Sequence, residues 1–207
     1  NSSGSSPKNV CGICCLLLLW LVSSLAGYTA EVGGTLNQNT VWLLANSPYH
    51  VTQDMVINSD VTLNIEAGVV VNLDNGVRID VNGTLIARGT ANQKIVFQPT
   101  SGTTPGSWDT ISFIDSSVDA TLDGSGNYTS GSILQYCVIQ YGGGGSVNAQ
   151  VELHSASPLI DHCEIQYGIS SGIFAEGSAA IIHSNTVSEN RAVGSGGGIK
   201  IYGGTLT

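Results

Sequence analysis

Asp115, Asp119, Asp123 and Asn127 form the densest run of side-chain oxygens in the chain, interleaved with Gly124 and Gly126. Calcium takes about six to eight oxygen ligands from carboxylates, amides and carbonyls, so a loop of this composition suits Ca²⁺. Its spacing of four residues departs from the alternating Asp-x-Asp-x-Asp-Gly pattern of a calcium-binding loop. A solvated insertion between strands accounts for the same residues, and the spacing favours it.

Three histidines, His154, His162 and His183, lie near Glu152, Asp161 and Glu164. A metal centre needs three or four convergent ligands. When the surrounding segments are aligned, His162 falls opposite Ser184 and His183 opposite Asp161, so no one column collects all three imidazoles. The expectation is scattered surface histidine. Cys137 and Cys163 fall at matching positions and read as a buried thiol ladder in which Cys acts as a small hydrophobe. A disulfide is the alternative, because stacked Cα atoms about 4.8 Å apart lie within bonding range. No basic group is placed to lower a thiol pKa, which argues against a nucleophile. Tyr136, Tyr141, Tyr167, Tyr202 and Trp108 supply flat rings. Tyr141 and Tyr167 share a column, and with Trp108 they are candidate carbohydrate contacts, since an apolar face with a polar tip suits a sugar ring. Strand ends finished by an aromatic corner are the plainer reading.

The elements that must carry these residues are short strands. Val61–Ile65, Val69–Leu73, Val77–Val81, Leu85–Ala87, Ile95–Phe97 and Ile111–Phe113 are apolar runs, mostly alternating with period two, separated by Gly, Asn and Asp turns. No helical stretch is expected after the first thirty residues. Three segments superimpose: Ile133–Gly142, Leu159–Gly168 and Ile181–Asn190, offset by 26 and then 22 residues. Leu134, Ile160 and Ile182 form one column, Cys137, Cys163 and Asn185 a second, and Ile139, Ile165 and Val187 a third. A strand repeat of this length predicts an all-β parallel solenoid, each coil stacked about 4.8 Å from the last.

Composition agrees. The chain has 207 residues, 27 of them Gly, with 42% apolar and 10% charged residues and a net charge of −9. So few charges with so much apolar content exclude disorder, and the acidic balance removes the electrostatic attraction on which nucleic-acid binding depends. Residues 1–26 read as a secretory signal peptide. Val10–Val22 is too short for a bilayer span, which takes about 20 residues, and Ser24-Leu25-Ala26 offers a small-residue cleavage site. Cys11, Cys14 and Cys15 are apolar filler within it. Loss of Lys8 leaves five Lys plus Arg against fifteen Asp plus Glu, a net of −10. Residues 27–55 are expected to lead in and cap the first coil, and 56–207 to form the helix proper. The chain stops at Gly203-Gly204-Thr205-Leu206-Thr207 with no polar cap after Ile201, which is expected of an incomplete piece of a longer helix.

The runs Trp42–Tyr49, Val61–Val71 and Asn82–Thr90, extended by Ile95–Phe97, Ser107-Trp108 and Asp115–Asn127, resemble bacterial secreted right-handed parallel β-helix repeat proteins. The resemblance covers about 41–207. It implies the pectin-lyase-like superfold of large surface or exported proteins, and a fold alone does not fix an activity. Lyases of this superfold generally join a basic proton acceptor to acids that bind Ca²⁺. The bases after residue 26 are only Arg78, Arg88, Arg191, Lys94 and Lys200, and none lies in a recognisable lyase motif. The Asn-Thr-Asp, Asp-Asp and Gly-His-Gly signatures of the related hydrolases are absent. The expected role is therefore a secreted or cell-surface scaffold that contacts polysaccharide or a surface glycan through its lateral face. A polysaccharide lyase or glycoside hydrolase is the alternative, and a spacer for a further domain the third reading.

Overall fold

The computed structural model describes residues 30–193 and 196–207, so the expected signal peptide lies outside the described residues. β1 (Ala30–Leu36) opens the stack. The first coil follows as β2 (Thr40–Trp42) and the long, bent β3 (Tyr49–Ile57). The second is β4 (Thr62–Ile65), β5 (Val70–Leu73) and β6 (Ile79–Val81), and the third is β7 (Thr84–Arg88), β8 (Ile95–Pro99) and β9 (Ile111–Phe113). A two-stranded hairpin, β10 (Thr121–Leu122) and β11 (Tyr128–Ser130), then leaves the stack. The fourth coil is β12 (Ile133–Gln135), β13 (Cys137–Gln140) and β14 (Ala149–His154). The fifth is β15 (Leu159–Asp161), β16 (Glu164–Gln166) and β17 (Ser171–Ser178), and the last is β18 (Ile181–His183), β19 (Thr186–Ser188) and β20 (Ile199–Gly204).

Among the described residues every pairing except the hairpin and one isolated bridge is parallel, and the strands stack on three faces in a β-solenoid of about 7 turns. The first face runs β2-β4-β7-β12-β15-β18. β3 joins the other two: its start pairs with β5 and its end with β6. The second face continues through β8, β13, β16 and β19, and the third through β9, β14, β17 and β20. β1 lies against both halves of β3. Stacked strands thus begin well before residue 56, because Tyr49, Val51, Met55 and Ile57 already alternate inward with the later coils. Among the described residues the only helical element is a 3-10 turn at Leu44–Asn46, and no helix is long and apolar enough to cross a membrane.

Alternation explains the core. Leu63, Leu85, Ile95, Phe97, Ile111, Phe113, Ile139 and Ile165 point inward and are fully buried. Each such side chain contributes about 1.5–3 kcal/mol, and each also fixes register, since a one-residue slip would turn its strand inside out. The repeat columns are real pairings: Leu134 with Ile160, Ile160 with Ile182, Ile139 with Ile165, and Ile165 with Val187. In the last coil the inward Ile182 and Val187 are half-buried, because β18 and β19 have a neighbour on one side only.

Between the first and second faces the chain bends through a left-handed residue in each of the last three coils: Tyr136 (φ 50°), His162 (φ 52°) and Ser184 (φ 54°). A matching bend ends the second face at Tyr141 (φ 62°), Tyr167 (φ 59°) and Glu189 (φ 54°). None of the six is Gly, so the stacking of neighbouring coils holds a conformation that costs an L-residue about 1–2 kcal/mol. After the first bend the next side chain turns toward the core, at Cys137, Cys163 and Asn185; after the second the next residue is Gly142, Gly168 and then Asn190, and the glycines leave room for Trp108 and Gln150. The two asparagines repeat one arrangement. Asn185 Oδ1 accepts from the Cys163 amide at 2.7 Å while its Nδ2 donates to the Ile160 carbonyl at 2.8 Å. Asn190 does the same with the Gly168 amide and the Ile165 carbonyl, both at 2.9 Å.

Candidate functional site

The first face ends in an outward column of residues unlike one another in chemistry. Arg88 pairs in register with Gln135, Gln135 with Asp161, and Asp161 with His183. Parallel stacking brings the four side chains into a chain of hydrogen bonds along the long axis. Arg88 Nε donates to Gln135 Oε1 at 3.1 Å, and Gln135 Nε2 donates to Asp161 Oδ2 at 2.9 Å. Asp161 Oδ1 then meets His183 Nδ1 at 3.1 Å. His162 joins from the bend. Its left-handed backbone turns the side chain beside its own neighbour, so that His162 Nδ1 lies 2.7 Å from the same Asp161 Oδ1. Ser184 Oγ completes the cluster at 2.9 Å from His183 Nδ1.

Asp161 is the buried member, its side chain 12% exposed against 42% for His162 and 69% for His183. Burial works against its charge, but hydrogen bonds from Gln135, His183 and His162 outweigh that and hold its carboxyl below the usual carboxylate range. The anion is therefore the form built into the site. Asp161, His162 and His183 have ligand-type atoms all within 4.8 Å of one another, and among the described residues they are the one such group of three.

The hairpin β10–β11 rises beside this column and makes it one wall of an open groove of about 460 Å³. Leu122, Asn127 and Tyr128 line the hairpin side, and Arg88, Gln135, Asp161, His162 and His183 the sheet side. The Arg88 guanidinium sits 5.0 Å from the Tyr128 ring centre. Burial pushes the Tyr128 phenol up, with Arg88 pulling the other way, and its hydroxyl donates to the Gly131 carbonyl at 2.7 Å. The groove thus offers a guanidinium, an amide, one carboxylate and two imidazoles on a fixed backbone.

The residues singled out for calcium go elsewhere. Asp115 is exposed in the turn after β9, and Asp119 Oδ1 accepts from the Ser157 amide at 2.7 Å. Asp123 ties the hairpin loop together, accepting from the Ser125 and Asn127 amides at 2.8 and 2.9 Å and from Asn127 Nδ2. The structure does not gather these carboxylates: Asp123 holds its own loop, Asp119 caps the Ser157 amide of a later turn, Asp115 is exposed, and of the four residues Asn127 lines the groove. Trp108 is corrected as a sugar contact. It is fully buried, its Nε1 donates to the Gln140 carbonyl at 2.8 Å, and its ring fills the space that a side chain at Gly142 would take. Tyr141 and Tyr167 do form a column, but they stack on each other with centres 5.2 Å apart and planes 14° from parallel, so each covers a face of the other. Cys137 and Cys163 are free and buried, and burial together with the Cys163 contact pushes the Cys137 thiol well up.

The remaining ionisable groups sit apart from the groove. His154 lies on the third face between Glu152 (3.3 Å) and Glu176 (3.5 Å), with Glu152 nearly buried and accepting from the Asn148 amide. Glu164 is paired with Lys94 at 2.6 Å. The convergence of His162 and His183 on Asp161 goes against the expectation of scattered histidine. Its signal was present: Gln135, Asp161 and His183 occupy one position of the repeat. No protein-family model, curated protein or solved structure matches the chain.

Proposed function

We propose that the chain is an exported, rigid right-handed β-helix of the pectin-lyase-like kind that binds carbohydrate in the groove beside the hairpin. The observation that carries this reading is the run of Arg88, Gln135, Asp161 and His183 in successive coils, held by one another on a sheet. Planar carboxylate, amide and guanidinium groups at a regular spacing suit the paired hydroxyls of a sugar chain, and the backbone beneath them is already ordered, so little entropy is lost on binding. Among the described residues Asp161 is the only carboxylate lining the groove, whereas glycoside hydrolysis uses two. Binding is therefore favoured over hydrolysis. With a net charge of −10 after residue 26, neutral glycans are better suited than polyanions.

Lyase chemistry is the second reading, favoured by two imidazoles and a guanidinium around one carboxylate. One experiment separates the two. The folded protein is titrated with neutral and acidic oligosaccharides, while unsaturated-uronide absorbance and reducing ends are followed. Saturable binding without product, weakened at least tenfold in Gln135→Ala and Arg88→Ala, is expected. Unsaturated product would establish the lyase, and no binding to any glycan would overturn both readings.

A further inference from the structure

We infer that Asp161, His162 and His183 bind a divalent transition ion of the zinc class. The donor set is two imidazole nitrogens and one carboxylate oxygen, the set that Zn²⁺ and its neighbours take and that Ca²⁺, which wants oxygen only, does not. Both Nδ1 atoms already face the same Oδ1, at 2.7 and 3.1 Å. Metal bonds of about 2.0–2.2 Å at a tetrahedral angle put neighbouring donor atoms about 3.3 Å apart. Opening the two Nδ1–Oδ1 distances to that value takes about 0.6 and about 0.2 Å, all three ligand atoms lie within 4.8 Å of one another, and both rings are on the solvent side of the cluster.

Three features set this group apart from chance neighbours. Asp161 and His183 are in register in adjacent coils, so their separation is fixed by a ladder rather than by a loop. His162 is aimed by a backbone bend that recurs at Tyr136 and Ser184. Asp161 has its second oxygen held by Gln135, which is held in turn by Arg88, leaving Oδ1 as the atom presented to the imidazoles. A carboxylate oriented through its other oxygen is how metal ligands are commonly fixed. Three protein ligands with an open side leave a coordination position for water or an incoming hydroxyl, as in metal sites that do chemistry. Ser184 Oγ lies 2.9 Å from His183 Nδ1.

The inference goes beyond the carbohydrate reading and does not depend on it, since the ion is read without any glycan. The test uses tag-free protein treated with chelator and then titrated with Zn²⁺ by calorimetry and with Co²⁺ by visible absorption. One equivalent of each metal is expected, with Co²⁺ giving ligand-field bands that Zn²⁺ abolishes. His183→Ala and His162→Ala should each weaken binding at least tenfold. Asp161→Asn, which can still bond Gln135, should do the same, and His154→Ala should leave binding unchanged. Folded protein that gives no Co²⁺ bands would overturn the inference, as would bands that survive in both groove-histidine variants or vanish in His154→Ala.

Discussion

The two left-handed bends of the last three coils lie five residues apart along the chain and share one plan, yet only one of them makes a site. Each repeats at the same offsets, and each ends in an asparagine clamped onto the coil before it. They differ in the outward column that leads into them. Ahead of Tyr141 and Tyr167 that column is neutral amide: Gln98 donates to Asn72 at 3.1 Å, Gln140 donates to Gln98 at 3.2 Å, and Gln140 stands in register with Gln166. Amides carry a donor and an acceptor each, so such a ladder satisfies itself. Ahead of Tyr136 and His162 the column is Arg88, Gln135, Asp161 and His183, and an anion that accepts but cannot donate sits in its middle. The contrast teaches that the bend supplies position, while chemistry depends on whether the neighbouring ladder can close on itself.

The bends also differ inside, and there the largest effect is expected. Trp108 fills the second bend over Gly142, whereas thiols fill the first. Trp108→Ala should cost about 3–5 kcal/mol in denaturant unfolding, and Cys137→Ala about 1 kcal/mol. Equal costs would break the distinction between a bend closed by a large ring and one closed by a sulfur. The asparagines come next. Asn185→Ala and Asn190→Ala each orphan one amide and one carbonyl, for about 1–3 kcal/mol. Asn190→Ala should be the worse, because Asn190 Oδ1 also accepts from Gln150 Nε2 at 2.7 Å and that amide is buried.

Acid titration sharpens the outward contrast. The folded Asp161 carboxyl titrates below its unfolded value of about 3.9. Its stabilising contribution is therefore complete above that pH and is lost as pH falls through the folded value. Asp161→Asn should remove that part of the acid sensitivity. An equal acid profile for wild type and variant would show that Asp161 is not held as an anion. Tyr167→Gly should have the smallest effect, within about 1 kcal/mol of neutral: relief of a left-handed L-residue offsets the loss of one ring stack. A loss of several kcal/mol in thermal unfolding would show that the Tyr141–Tyr167 stack is structural in its own right.

Much of this architecture was legible. Period-two runs and the repeat from Ile133 gave the solenoid, and the alignment of Leu134, Ile160 and Ile182 matches the strand register residue for residue. The early coils were harder to delimit because insertions break the count: Ile86 pairs with Ile133, across the whole hairpin. That same gap hid Arg88 from its column. The place of His162 depends on a positive φ at a residue that is neither Gly nor Asn, so composition carries no sign of it. Trp108 was misread because its slot is made by the missing side chain of Gly142, far along the chain. The aspartates of the insertion looked like ligands since turn-capping and metal binding draw on the same short oxygen side chains.

The parallel ladders have a mechanical consequence. On all three faces the interstrand hydrogen bonds run along the stacking axis, and each coil touches only its neighbours. Tension applied between the ends therefore loads the coil interfaces in series, and the whole yields where a single interface is weakest. The interfaces differ in how many positions pair: β17 pairs with β20 at five, β9 with β14 at three. Pulled from both ends, the molecule should part at one coil interface and then lengthen coil by coil. A single-molecule force trace would record this as a sawtooth with its lowest peak first.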